Sequence, residues 1–256
     1  MKILVAAAAV LSLTAQKDAS AAAAGLASAD PIVRTRAACD LREMGNQAAP
    51  MIARLAALLE DGSPVDPAAC GERTWGHGRF GARQDNTTPG EQAASALVAI
   101  GSPAYDTLAR SLAAPAWIAR RNAAWALGAL GDRKAAPLLA KRLRDTEPFV
   151  RGRSAWALGA LDASEAVPAL LEALKDSDAG VREQVAWALG AIGDRRAVDG
   201  LIGALTDSVP GVRKQAAWAL GALGDRRAVQ GLMTCLKDAD AGVRKQAAWA
   251  LGAIGG

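Results

Sequence analysis

From Asp194 to Gly224 the apolar positions fall into two helical stripes. Ala197, Val198, Leu201, Ile202 and Leu205 recur at steps of three and four, the spacing that lines up one face of an α-helix. Val212, Ala216, Ala219, Leu220 and Leu223 form a second stripe. Between them Asp207, Ser208 and Pro210 break one helix and start the next, and Gly224 stands where the second must stop. Asp194 is placed to cap the helix that begins at Arg195. The segment therefore predicts two antiparallel helices joined by a tight turn. Neither can bury its stripe alone, so the unit requires neighbours of the same kind.

The neighbours are visible as a period. Trp125, Trp156, Trp187, Trp218 and Trp249 stand 31 residues apart, each within the phrase Ala-Trp-Ala-Leu-Gly. Arg120, Arg151, Arg182, Arg213 and Arg244 form a second column, and Asp145, Asp176, Asp207 and Asp238 a third. Glycines at 128, 159, 190, 221 and 252 form a fourth. A fixed period of this length marks stacked copies of one supersecondary unit. The predicted fold is all-α: an α-solenoid of about seven helical hairpins in one domain, 16–256. The units are 17–45, 46–101 with an inserted loop at 61–88, 102–131, 132–162, 163–193, 194–224 and 225–256. Each mid-helix glycine costs roughly 1 kcal/mol against alanine, which implies a compensating close approach between helices. The Asp and Arg columns fit a structural ladder, with Asp capping the second helix and Arg bonding carboxylates or free carbonyls. A charged ligand along these columns is the alternative.

Composition changes this picture in one place, the N-terminus. Lys2, the apolar stretch Ile3 to Leu13 and a small-residue exit at Ala15 read as an export signal over 1–15; an apolar capping helix is the competing reading. The expected location is then periplasmic or secreted, with no membrane span once the signal is removed. The formal charge of +4 comes from 30 basic and 26 acidic residues, mixed along the chain, so it gives no footprint for nucleic acid.

The phrases Gly211-Val212-Arg213-Lys214-Gln215-Ala216-Ala217-Trp218-Ala219-Leu220-Gly221 and Asp225-Arg226-Arg227-Ala228-Val229 resemble HEAT-like repeats of the short class named after the phycobilisome lyases. Residues 102–256 carry the resemblance, and 17–101 do so more loosely. It implies a right-handed α–α superhelix whose second helices line a concave face. It also implies work as an interaction scaffold, the role of most members. Some relatives handle bilins, hydroxylate a modified lysine or recognise damaged DNA. The hydroxylase branch carries paired His-Glu metal motifs, and this chain has a single histidine.

The expected function is therefore non-enzymatic binding of a protein partner, with no cofactor and no metal. Trp125, Trp156, Trp187, Trp218 and Trp249 would line the face, alongside the varied polar residues Arg153, Gln184, Lys214, Gln215, Lys245 and Gln246. The same tryptophans could instead form a packing ladder. One alternative function is a lyase- or chaperone-like accessory holding a planar ligand such as a tetrapyrrole; another is nucleic-acid binding through the Arg and Lys rows, against which the export signal argues. The insertion brings Cys70, Trp75 and His77. Trp75 is a further binding candidate, and His77 lacks partners at metal-ligand spacing. Cys39 occupies the Trp position of the first unit, which makes Cys39–Cys70 the disulfide candidate in an exported protein, with two free thiols as the alternative.

Overall fold

Asp30 opens the first complete helix by accepting the amide of Ile32 at 2.8 Å, and a proline fills the first turn, where no amide donor is needed. This is α2, Pro31–Met44; a short helical stretch, α1, precedes it at 20–25. A computed structural model describes residues 20–70 and 86–255. The expected export signal, Trp75 and His77 lie outside the described residues.

The chain divides at Ala126/Leu127 into two compact units. In the first, Gly45 (φ 57) ends α2, and a 3-10 stretch leads into α3, Ile52–Leu58. Next comes α4, Pro89–Ile100, capped by Thr88, whose hydroxyl accepts the Glu91 amide. Then follow α5, Tyr105–Ser111, and α6, Trp117–Leu130, within which the division falls.

The second unit repeats one theme. Its first helices are α7 (Ala136–Arg142), α9 (Val167–Ala173), α11 (Val198–Ala204) and α13 (Val229–Cys235); its second helices are α8 (Pro148–Ala160), α10 (Ala179–Ile192), α12 (Pro210–Leu223) and α14 (Ala241–Gly255). Each first helix is shorter than the sequence pattern suggests, because its first turn is 3-10. Over Arg195–Ala197 that turn is capped by Asp194, which accepts the Arg196 amide. The core is built from leucines in register, among them Leu139, Leu170 and Leu201 from first helices and Leu158, Leu189 and Leu220 from second helices, all fully buried. Successive second helices pack against each other most extensively. The fold is all-α and of the solenoid class. Among the described residues no helix is long and apolar enough to cross a membrane.

One local expectation is corrected. Asp207 does not cap α12. Its Oδ1 accepts the amide of Val209, two residues on, and closes the turn. The cap position lies two residues later in the period. There Asp178 caps α10 through the Val181 amide, Asp240 accepts the Val243 amide, and Val209 gives α12 no side-chain cap. The Asp column is thereby free to serve a different contact.

Candidate interaction site

That contact is an arginine from the preceding repeat. Arg151 grips Asp176 with Nε and Nη2 at 2.6 and 2.7 Å, Arg182 grips Asp207 at 2.7 and 2.9 Å, and Arg213 grips Asp238 at 2.7 Å through both. The remaining Nη1 donates to the carbonyl six residues before, Asp145 in the case of Arg151. One planar guanidinium thus ties its own turn to the next. The hydrogen bonds from Arg182 hold the Asp207 carboxyl below its ordinary range. The pairs are mostly shielded from solvent, so the Asp–Arg columns are a ladder between repeats.

The glycine column explains the tryptophans. A Cβ built on Gly190 would lie 2.6 Å from Ala219 Cβ, 2.7 Å from its Cα and 2.8 Å from Trp218 Cζ3. Gly128, Gly159 and Gly221 face Trp156–Ala157, Trp187–Ala188 and Trp249–Ala250 in the same way. Each glycine is a socket for the next repeat's Trp-Ala pair. The helix-propensity cost of glycine is offset by backbone approach and by burial of one ring edge.

The ring's other side reaches the surface. Trp156, Trp187 and Trp218 are half-buried, and Trp249 is 48% exposed. Trp156 and Trp187 stack at 6.4 Å between centroids, their planes 13° apart. The Arg153 guanidinium stands 5.9 Å from the Trp156 ring centre, within cation–π range. Gln184, Gln215 and Gln246 are half-buried in the same row, and Lys214 and Lys245 are exposed. The second unit therefore brings together four of the five tryptophans and all six polar candidates. Trp125, also half-buried, belongs to the first unit.

In the first unit the row ends at a staple. Cys39, at the tryptophan position of α2, is joined to Cys70, with Cα atoms 5.8 Å apart. Gln92 Nε2 donates to Thr87 Oγ1, and its Oε1 accepts from Arg42. The described base of the insertion is closed by Val65 and Thr87, which exchange two backbone hydrogen bonds of 2.8 Å. Arg34 pairs with Asp61 at 2.7 Å, so the ladder reaches the edge of the insertion. There it changes chemistry. Five residues before Ser95, where other repeats carry arginine, stands Gly90; its amide donates to the Asp61 carbonyl at 3.0 Å. A Cβ there would meet three polar atoms within 2.9 Å. Buried Asn122 completes the join by donating to the Leu59 carbonyl. Sequence reading gave Gly90 no role and counted Asn122 only among the varied polar residues of the tryptophan row. The break in the arginine column was the available signal for Gly90. Among the described residues no three His, Cys, Asp or Glu side chains cluster to hold a metal.

Comparison with known proteins agrees with the repeat fold. The family described as HEAT repeats matches residues 84–159, 139–221 and 200–256. No curated protein matches the sequence. Among solved structures, an engineered protein is similar over 93% of this chain and 96% of its own, at 22% identity and a TM-score of 0.52. The CpcE–CpcF complex of phycocyanin lyase from Nostoc sp. PCC7120 is similar over 92% and 94%, at 22% identity and a TM-score of 0.50. Kap121p is similar over 94% of this chain and 29% of its own, at 14% identity and a TM-score of 0.72. These likenesses concern the fold.

Proposed function

This chain belongs to the HEAT-repeat family, and from that premise we propose that it is a non-enzymatic scaffold which binds a protein partner along the Trp156–Trp249 face. The observation that carries the reading is the division of labour within each ring: one edge is taken up by a glycine of the preceding repeat, while the residue as a whole stays partly exposed, Trp249 most of all. Rings fixed in this way offer aromatic area at small entropic cost, which suits interface anchors. The polar residues beside them differ from repeat to repeat on one scaffold, which suits selectivity for a single partner. The protein works outside the cytoplasm, where the Cys39–Cys70 pair persists; cell fractionation that finds it only with cytoplasmic markers contradicts this.

Charge reversal tests the face while leaving the ring sockets intact. The full chain carrying Arg153→Glu and Lys214→Glu keeps its helical circular dichroism and loses the partner that the unmodified chain captures. Undiminished capture contradicts the proposal. The stacked Trp156–Trp187 pair also suits a planar ligand, and ligand-dependent quenching of tryptophan fluorescence would favour that reading.

A further inference from the structure

Along α8, α10, α12 and α14 the residue three before each tryptophan is Arg153, Gln184, Gln215 and Gln246. The three glutamines are half-buried, and their side-chain amides make no hydrogen bond among the described residues. A primary amide offers one carbonyl acceptor and a donor group. The stem of Gln184 is packed, its Cγ lying 3.6 Å from a Cβ built on Gly152 of the preceding second helix. Three successive helices thus present the same unused amide beside a ring that is seated in its glycine socket. Four residues before the tryptophans stand Gly152, Glu183, Lys214 and Lys245. Lys214 and Lys245 are exposed and make no ion pair among the described residues. Across these two positions Glu183 is the one carboxylate against three cations, Arg153, Lys214 and Lys245. The Arg153 guanidinium already stands over the Trp156 ring, which disfavours a cationic occupant there.

We propose that the occupant of this row is an acidic polypeptide segment in extended conformation, whose main chain hydrogen-bonds to Gln184, Gln215 and Gln246. The inference rests on the tryptophan face proposed above and names what lies on it. An extended chain leaves an N–H and a C=O at every residue for outside partners, whereas a helix satisfies its own. A glutamine amide is matched in donor and acceptor to such a peptide group. The spacing fits as well. Side chains on one face of an extended chain recur at about 6.4–6.8 Å, and the Trp156 and Trp187 ring centres are 6.4 Å apart. At that step one helix meets two residues of the segment, one side chain on the ring and one turned away. The excess of cations in the row selects acidic over basic segments.

The probe is a capped octapeptide alternating glutamate and valine, titrated into the full chain by calorimetry. It should bind saturably, and more weakly as salt is added. The combined variant Gln184→Leu, Gln215→Leu and Gln246→Leu keeps its circular dichroism and binds the peptide about tenfold more weakly or worse. N-methylation of the valines, which removes their amide donors, costs the unmodified chain a similar factor and costs the variant little more. No binding of the acidic peptide, equal binding of its lysine–valine counterpart, or binding indifferent to the three leucines overturns the proposal. Tighter binding of a single-stranded oligodeoxynucleotide of similar length also overturns it. The underlying reading is separated by partner capture. A partner still held by the triple-leucine variant but lost on Arg153→Glu and Lys214→Glu leaves the tryptophan face standing and removes the extended main chain from it. Undiminished capture by the charge-reversed chain removes both.

Discussion

Gly190 and Gly252 hold the same position in their repeats and meet opposite surroundings. A methyl at 190 collides with Ala219 and the Trp218 ring, whereas a methyl at 252 meets nothing described within 4 Å. Gly190→Ala therefore destabilises by about 1–3 kcal/mol through overpacking. Gly252→Ala is neutral or stabilises by up to about 1 kcal/mol through helix propensity. Urea unfolding followed by circular dichroism checks both signs. A second contrast lies at Asp162, which adopts φ 51 where other repeats place Gly193 or Gly224, and at Ala163, which stands where Asp194 and Asp225 cap. The pair Asp162→Gly and Ala163→Asp restores both features and should stabilise by about 1–2 kcal/mol. Unchanged stability would mean that the local backbone has relaxed around the native pair.

Among the elements, the turns carry the electrostatics. Asp207 has a folded-state pKa lowered by its hydrogen bonds from Arg182, while an unfolded Asp titrates near pH ~3.9. The stabilisation is thus fully present above about pH 4 and is lost as the pH falls through the lower folded value. A double-mutant cycle of Arg182→Ala and Asp207→Ala should give a coupling of about 1–3 kcal/mol at pH 7 that shrinks below pH ~4. A coupling that does not fall as the pH is lowered below about 4 contradicts the ladder. The helices around these turns were legible because their signals are local: stripe spacing, Asp30 and Thr88 at starts, Gly45 and Gly224 at ends. The cap of α12 was misassigned because Asp207 is recruited by Arg182, a residue 25 positions earlier, and such a contact leaves no local trace.

At the scale of the molecule, the period announced the repeats but not what fills each socket. Five glycines at one register showed that a cost was being offset; only the packing shows that a Trp-Ala pair offsets it in four cases. The closure of the insertion by Val65 and Thr87 was illegible for a similar reason, since two isolated residues carry no periodic signal. The tryptophan face joins the two kinds of evidence, because its spacing was plain in the sequence and its dual environment emerges only from stacking. The most direct test is a photo-activated cross-linker placed at Gln184, half-buried in the tryptophan row, and separately at Glu172, exposed on α9. On illumination in native extract, the account predicts one discrete protein adduct from position 184 and none from position 172. Equal labelling from both positions, or no adduct from 184, would contradict it.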